Sequence, residues 1–267
     1  MTSLAEEDDD HDEGVIEYEG TYTREPLSLC FSITKLTENF SEIEGPIFKV
    51  PIEETCQREE VEVPYIITRC VEEVERRGLN EVGIYRVSGL STEICRLSCE
   101  FDVASKSTLL GEVEINTVCG LLKSYLRQLP ECLFTSHLYP HFLEAYYAME
   151  GKDVTLTPLE QIDSRDGAYT LMFLFSSLPM VNQNVIIFLL RHLVRVSAHQ
   201  ENNKMSLHNI ATVFGPTLLH RSLADDTLVS DPAVMGLMDV VTQAAVLQFF
   251  LQRVAHNMPI QALALPP

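Results

Sequence analysis

Apolar residues recur at three- and four-residue steps from about residue 63 to residue 255, and this period predicts a series of helices. In the first run Ile66, Cys70 and Val74 share one face, and charged side chains cover the opposite face: Glu72, Glu73, Glu75, Arg76 and Arg77. Gly78 follows this run, and we expect it to end the helix in the left-handed conformation. Further helices are predicted over residues 139–149, 168–177, 184–199 and 233–255. Strand signals are nearly absent there, so the predicted fold is all-α, an irregular helical bundle.

The chain divides by composition into four segments. Residues 1–25 are dominated by Asp and Glu and cannot bury enough apolar surface to order themselves, so we expect a disordered acidic tail. Residues 26–62 are predicted to be a linker with short strand-like segments, since apolar and polar residues alternate over 27–33. A remnant of an upstream β-domain is one interpretation of this linker. The predicted helical domain spans residues 63–256, and a C-terminal tail spans 257–267.

Length and charge restrict the class of function. The 267 residues are 46% hydrophobic, which is enough for a sizeable core. The formal net charge is -20, and residues 1–60 carry 17 acidic and 4 basic side chains, against 22 and 15 in the rest of the chain. Nucleic-acid binding needs clustered positive charge, so we expect no nucleic-acid partner. A solvating role is expected for the acidic tail, and an autoinhibitory contact with basic residues of the domain is the alternative.

The cysteines and the absence of targeting signals favour an intracellular protein. The seven cysteines show no Cys-x-x-Cys pair and the histidines no His-Glu-x-x-His pattern, so we expect neither a metal site nor a disulfide framework. Cys95 and Cys99 lie one helical turn apart and are expected to share a helix face. The sequence shows no signal peptide and no apolar run of membrane-spanning length. We therefore expect a cytoplasmic protein without an intrinsic membrane span.

One arginine stands between two glycines in the segment Gly83-Ile84-Tyr85-Arg86-Val87-Ser88-Gly89, which connects two predicted helices. The glycines permit backbone angles that other residues avoid, so the guanidinium of Arg86 can project outward. An arginine supplied in trans stabilises the charge that develops on transferring phosphoryl oxygens and raises the rate by ~10³ to 10⁵. The chain has no Gly-x-x-x-x-Gly-Lys-Ser/Thr loop, so the nucleotide would belong to a partner. A surface arginine paired with a carboxylate is the alternative.

A second segment, residues 116–129, carries two cations. Its apolar stripe predicts a helix with Asn116 as the N-cap, and Lys123 and Arg127 lie one turn apart on one face. A solvated helix face is the alternative interpretation of this pair.

A third segment, residues 203–219, carries two asparagines near a helix start. Ser206 is predicted to cap a short helix that Gly215-Pro216 stops or bends. Asn203 and Asn209 are then polar groups close to a tight break, and a structural amide with all its hydrogen bonds made is the alternative to a functional role.

Taken in order, the three segments resemble the GTPase-activating domain that acts on Rho-family small GTPases. The matching motifs are Gly-Ile-Tyr-Arg-Val-Ser-Gly, Leu-Lys-Ser-Tyr-Leu-Arg-Gln-Leu-Pro and Asn-Lys-Met-Ser-Leu-His-Asn-Ile-Ala-Thr-Val-Phe-Gly-Pro. The similarity runs from about Val63 to about Arg253, and three long motifs in register are far more specific than any one of them. Within the family, the stretch from Val63 to Gly78 is similar to the breakpoint-cluster-region type and its active-Bcr-related paralogue.

The resemblance implies a role for each matched residue. Arg86 matches the family's finger arginine, which enters the GTPase active site beside the γ-phosphate. Lys123 and Arg127 match the basic pair that steadies the finger loop and meets the switch-bearing side of the GTPase. Asn209 matches an asparagine that contacts the switch region, and the helix near 240–246 corresponds to a further part of the docking surface.

The implied partner is a Rho-family GTPase in its GTP-bound state, of the Rac or Cdc42 type. That partner would hold GTP and Mg²⁺, so the chain is expected to need no cofactor or metal of its own. The chain would be a GTPase activator, a regulator of an enzyme that supplies a catalytic arginine, and the partner GTPase would recruit it to membranes. The alternatives are a catalytically weak module that only binds the GTPase, and a scaffold that uses the tail or an insertion for other proteins.

Two positions depart from the family pattern. Cys132 stands where relatives usually carry a second proline, which we expect to loosen that corner. The stretch 150–167 is longer and more polar than expected and is interpreted as a surface insertion that alters partner choice. All four matched positions are kept, so these departures do not argue against activity.

Overall fold

Helices account for the regular structure of the described part of the chain. The computed structural model describes residues 45–149, 167–220 and 232–261, and only the backbone over 232–238. These residues form ten helices, with no strand among them: α1 Ile52–Glu59, α2 Tyr65–Arg77, α3 Ser91–Ala104, α4 Ile115–Arg127, α5 Tyr139–Met149, α6 Gly167–Ser176, α7 Met180–Ala198, α8 Gln200–Asn203, α9 Leu207–Leu218 and α10 Pro232–Ala255. The prediction of an all-α bundle is confirmed.

The core lies where α10 packs against α9, α7 and α5. Gly215 allows the closest approach, because a Cβ at this position would lie 2.7 Å from the backbone nitrogen of Ala244. Beside this contact the rings of Phe134 and Phe142 pack edge to face with centroids 5.0 Å apart, and Phe250 packs against both. Burial of each such side chain contributes roughly 1.5–3 kcal/mol, so this cluster is a main source of stability.

A second group of helices, α2, α3 and α4, carries two of the three segments that the sequence singled out, and α8 and α9 carry the third. The backbone amides of Ile47 and Phe48 lie against α3, where both donate to Asp102 Oδ1 at 2.7 and 3.0 Å. Glu59 at the end of α1 accepts hydrogen bonds from the amide of Tyr65 and the hydroxyl of Ser105, each at 2.7 Å. The segment interpreted as a linker therefore contains a helix, α1, that the sequence pattern did not reveal.

Two local predictions were wrong, and one alternative of a third is excluded. Gly78 ends α2 with φ -105°, not in the left-handed region, and glycine is needed because a Cβ would lie 2.8 Å from Ile115 Cγ1. Glu114, not Asn116, is the N-cap of α4, since its carboxylate accepts from the amides of residues 116 and 117 at 2.9 Å each. Gly215-Pro216 was predicted to stop or bend α9; it does not stop the helix, which runs through Pro216 to Leu218, and the bend stays a prediction.

The corner at Cys132 is held by hydrogen bonds. The side chain is fully buried, the amide of Thr135 donates to its carbonyl at 2.9 Å, and Asn182 Nδ2 donates to the Leu133 carbonyl at 2.8 Å. The expected loosening at this position is therefore not observed.

The C-terminal residues turn back along α10. Arg253 Nε donates to the carbonyl of Pro259 at 2.5 Å, and Gln261 Nε2 donates to Gln183 Oε1 at 2.7 Å. Part of the predicted C-terminal tail is thus attached to the domain. The predicted acidic tail 1–25, the strand over 27–33 and nearly all of the insertion 150–167 lie outside the described residues. No single helix in the described ranges is long and apolar enough to cross a membrane.

Candidate functional site

The loop that carries Arg86 is a tight turn between α2 and α3. The amides of Arg86 and Val87 both donate to the carbonyl of Gly83, at 2.8 and 2.9 Å. The amide of Gly83 in turn donates to the carbonyl of Asn203 at 2.8 Å, which ties the loop to the end of α8. Gly83 has φ 73° and Tyr85 has φ 67°, so two residues of this finger loop, residues 83–89, lie in the left-handed region. For tyrosine this conformation is unfavourable, and it persists only where the surroundings enforce it.

Gly89 ends the finger loop where it touches α4. A Cβ at position 89 would lie 2.3 Å from Thr117 Cα, a distance that no side chain can occupy. Next to it, the amide of Leu90 donates to Thr117 Oγ1 at 3.2 Å. Glycine is therefore needed at the two positions for different physical reasons. Gly83 has a positive φ, and Gly89 lies too close to the backbone of α4 for a side chain.

Arg86 is exposed at the tip of this loop. Within the described part of the chain no carboxylate pairs with its guanidinium, so the alternative of a structural ion pair finds no support there. Three apolar residues close to it in the chain are also exposed, Val82 by 58%, Val87 by 43% and Leu90 by 66%. A cation with apolar neighbours on an exposed loop is typical of a surface that a partner protein covers.

A series of polar contacts, buried at the end with Tyr85 and His192, lies beneath the finger loop. The hydroxyl of Tyr85 lies 2.6 Å from His192 Nε2, and His192 Nδ1 lies 2.8 Å from a carboxylate oxygen of Glu75. The same oxygen accepts from Arg195 Nε at 2.8 Å. Tyr85 and His192 are both fully buried. Hydrogen bonds from His192 and Arg195 hold the pKa of Glu75 down at about 2, while burial lowers the pKa of His192.

The two cations of α4 lie in different environments. Lys123 is only 8% exposed, and its ammonium donates to the carbonyl of Tyr85. Burial, and then the nearby charge of Arg127, lower the pKa of Lys123. Arg127 is exposed and donates from Nε to the Lys123 carbonyl at 3.3 Å. The alternative of a solvated pair is therefore wrong for Lys123, and the steadying of the loop falls to this residue.

The two asparagines of the third segment also lie in different environments. Asn203 is fully buried, and its amide group donates to the carbonyls of Leu79 and Val196 at 2.8 Å each and accepts from the amide of Met205 at 2.8 Å. It is a structural amide, as the alternative proposed. Asn209 is half-buried, and Nδ2 donates to the Lys204 carbonyl at 3.0 Å.

The cap of α9 follows the sequence pattern. Ser206 is the N-cap, and its hydroxyl accepts from the amide of Asn209 at 3.2 Å, which confirms that prediction. The first turn of α9 therefore fixes where the Asn209 side chain leaves the helix.

A cleft of about 690 Å³ opens between α3, α4 and the end of the finger loop. Lys123 and Arg127 line one wall and Cys95 and Cys99 the other, so the two cysteines do share a face, whereas Lys49 lines the cleft from the segment before α1. In the described residues no group of three His, Cys, Asp or Glu is placed to hold a metal ion.

The structure brings together most of the residues that the sequence selected. Arg86 and Lys123 meet through the backbone of Tyr85, Arg127 adjoins Lys123, and the loop with Asn203 connects to the finger loop through Gly83. His192 was not among the residues predicted from the sequence, and Glu75 was predicted to lie on the outer face of α2. The only available signal was a histidine within the apolar run of α7.

Comparison with known proteins agrees with this site. The family model described as the RhoGAP domain matches residues 64–222. The chain is 42% identical over 221 residues to the breakpoint cluster region protein of Homo sapiens, which covers 80% of this chain and 16% of that protein. It is 40% identical over 248 residues to the active breakpoint cluster region-related protein of Xenopus tropicalis, covering 91% of this chain and 27% of the relative. The chain thus spans about a quarter or less of the length of these relatives.

Solved structures show the same fold. Human Rho GTPase activating protein 15 superposes with a TM-score of 0.64 at 29% identity, covering 80% of this chain and 92% of that one. The BH domain from GRAF, the GTPase regulator associated with focal adhesion kinase, gives a TM-score of 0.56 at 28% identity and covers 73% and 95% of the two chains. The residues that the family model matches, 64–222, include the finger loop, both cations of α4 and both asparagines. The chain belongs to the RhoGAP domain family.

Proposed function

We propose that this domain accelerates GTP hydrolysis by a Rho-family small GTPase, and that Arg86 is the arginine finger it supplies. The observation that carries the proposal is an exposed arginine on a loop whose preceding residue is buried and held at both its hydroxyl and its carbonyl. A loop fixed at its base can hold its tip ready for a partner before the partner arrives. Such preorganisation lowers the cost of placing a charge where a transition state needs it.

The chemistry follows from where charge develops. Phosphoryl transfer passes through a loose transition state in which negative charge spreads over three equatorial oxygens. A guanidinium offers a planar fork of N–H donors that can contact the transferring and leaving oxygens together, whereas a lysine ammonium offers a point charge. The partner would bring GTP, Mg²⁺ and the attacking water. The domain would supply Arg86 and, through the finger-loop backbone, support for the water-orienting glutamine of the GTPase.

Other residues of the site support docking. The apolar side chains of Val82, Val87 and Leu90 lie exposed in or beside the finger loop and would be covered by the GTPase. Arg127 is exposed near the finger loop and would meet the acidic switch-bearing side. Asn209 is half-buried at the start of α9 and would contact the switch region. GTPases of the Rac and Cdc42 type are the proposed partners, on the resemblance that the sequence carries.

Single-turnover GTP hydrolysis tests the proposal. Rac, Cdc42 and Rho loaded with GTP are each measured alone, with the 267-residue chain, and with its Arg86→Ala variant. Acceleration should fall by about 10³-fold or more in the variant. Binding to each GTPase loaded with a non-hydrolysable GTP analogue should change little.

Two control variants sharpen this test. Arg86→Lys keeps the charge and removes the fork, so it should recover little of the acceleration. Arg191→Ala removes another exposed arginine, which lines a separate cleft with Met258 and Ile260, and should leave the rate unchanged. Equal acceleration by the wild type and Arg86→Ala would exclude finger catalysis. Binding without any acceleration by the wild type would instead favour a GTPase-binding module.

A further inference from the structure

We infer that His192 is a positioning residue for the finger arginine: it links Glu75 to Tyr85 and so holds the residue that immediately precedes Arg86. This inference rests on the proposed function of Arg86. His192 would not touch the GTPase or the nucleotide, because it is fully buried on α7. Its effect on catalysis would pass through the backbone of the finger loop.

The direction of each hydrogen bond between Glu75, His192 and Tyr85 follows from the protonation states of these three side chains. Glu75 is ionised at neutral pH, since hydrogen bonds from His192 and Arg195 hold its pKa at about 2, so its carboxylate can only accept. Nδ1 of His192 must therefore carry the proton and donate to Glu75, at 2.8 Å. Burial lowers the pKa of His192, so the ring is neutral and Nε2 is left as an acceptor. The hydroxyl of Tyr85 then donates to Nε2, at 2.6 Å.

The charged groups around the ring act in opposite directions. Burial is the largest influence on the pKa of His192 and lowers it, the Glu75 carboxylate raises it, and the positive charge of Arg195 lowers it. Arg195 on α7 also fixes Glu75 by donating from Nε at 2.8 Å. Burial raises the pKa of Tyr85 well above its ordinary value, with Cys119, Cys70 and Glu75 as smaller causes, so its hydroxyl keeps its proton. Every hydrogen bond in the series from Arg195 through Glu75 and His192 to Tyr85 therefore joins one donor to one acceptor.

The position of Tyr85 decides where Arg86 begins. Its φ of 67° is unfavourable for a residue with a side chain, and contacts on several sides enforce it. His192 holds the hydroxyl, Lys123 holds the carbonyl, and the ring packs edge to face against Phe214 with centroids 4.9 Å apart. Removing the hydroxyl bond leaves the ring packed but removes one of the contacts that select this conformation. Arg86 would then occupy the productive position for a smaller fraction of the time.

The main test compares two buried tyrosine hydroxyls. Tyr85→Phe removes the bond to His192, and Tyr139→Phe, the matched control, removes a hydroxyl that accepts from Gln243 Nε2 at 2.9 Å in the core. Single-turnover hydrolysis is measured over rising concentrations of the full chain to separate the maximal rate from the half-saturating concentration. Tyr85→Phe should lower the maximal rate by about 10-fold and leave half-saturation nearly unchanged, because docking residues are untouched. Tyr139→Phe should leave both values near those of the wild type.

A second pair of variants tests the histidine itself. His192→Gln keeps a side-chain oxygen that can accept from the Tyr85 hydroxyl, whereas His192→Leu keeps only bulk. The rate lost in His192→Leu should be largely recovered in His192→Gln at equal folded fraction by circular dichroism. A structural role alone would instead lower activity in proportion to the folded fraction in both variants.

Nitrogen-15 NMR of the imidazole provides a readout that needs no GTPase. The wild type should show His192 as the neutral Nδ1–H tautomer near neutral pH. An Nε2–H tautomer or a charged ring would overturn the inference, as would an unchanged maximal rate in both Tyr85→Phe and His192→Leu. These outcomes differ from failure of the proposed function, in which the wild type does not accelerate hydrolysis or Arg86→Ala remains active.

Discussion

The base of the finger loop and the surface around Arg86 are built from the same residue types in opposite environments. At the base, Lys123 and Asn203 are buried and hydrogen-bonded to backbone carbonyls. On the surface lie their neighbours in sequence: Arg127 is exposed, and Asn209 is half-buried. A buried cation or amide can support the loop through its hydrogen bonds, and an exposed one is available for the docking proposed above. Two residues of one motif can therefore have different roles although they lie only four or six positions apart.

The cation pair of α4 tests this difference most strongly. Lys123→Met should lower the maximal rate of GTP hydrolysis by about 10²-fold, because the Tyr85 carbonyl loses its donor and the finger loop shifts. Arg127→Met should weaken binding of the GTPase by about 10-fold and change the maximal rate little, since it removes an exposed charge and one long hydrogen bond to the Lys123 carbonyl. Single-turnover hydrolysis at rising concentrations of each variant separates the two parameters.

Methionine is a suitable replacement at both positions, because it keeps the unbranched stem of the side chain. At position 123 it also removes a desolvated charge, so stability should fall less than catalysis. Thermal unfolding of both variants serves as the control. If Arg127→Met lowered the maximal rate as much as Lys123→Met, the division between base and surface would be wrong.

The asparagine pair should differ in stability. Asn203→Ala removes three hydrogen bonds at a fully buried position and should cost about 2–3 kcal/mol of unfolding free energy. Asn209→Ala removes one side-chain bond, to the Lys204 carbonyl, and should cost less than about 1 kcal/mol. Urea denaturation of the two variants measures the difference. Similar losses in both variants would contradict the assignment of Asn203 to the base.

The helices could be predicted largely because their apolar period is local. The predicted segment 139–149 coincides with α5, and the segment 233–255 differs from α10 by one residue. α1 was missed because it has only eight residues, half of them charged. The N-cap of α4 was assigned to Asn116 on residue preference, whereas the carboxylate of Glu114 reaches two amides at once. Such competition between neighbouring capping groups depends on geometry and not on composition.

The candidate site was predictable only where a motif carries it. Arg86, Lys123, Arg127 and Asn209 could be selected because each lies in a motif that resembles a known family. His192 could not, because its contacts with Tyr85 and Glu75 span 107 and 117 residues of the chain. No periodicity or spacing brings such positions together, and only the packing of α7 against α2 does so.

The buried contacts at the base of the finger loop should also make stability depend on pH, and this is the smallest effect that we expect. Burial lowers the pKa of His192 from 6.5, so the folded chain resists a proton that the unfolded chain accepts. Stability should therefore be fully present above about pH 6.5 and decline as the pH falls, by at most about 1.4 kcal/mol per pH unit from this one group. The pKa of Glu75 is lowered from 4.5 to about 2, so its contribution is lost later, as the pH falls below about 4.5.

His192→Gln isolates the first of these contributions. Glutamine does not titrate, so the decline in unfolding free energy between about pH 7 and pH 5 should be shallower in the variant than in the wild type. Urea denaturation at several pH values and constant ionic strength measures the slope, and His208→Gln, which replaces an exposed histidine of α9, serves as the control. An equal slope in the wild type and His192→Gln would mean that the histidine takes up its proton in the folded chain as readily as in the unfolded chain, so that burial does not lower its pKa. The bond from the Tyr85 hydroxyl to Nε2 would then be lost as the pH falls through the ordinary pKa of histidine, and below that pH the base would hold the finger loop through Lys123 alone.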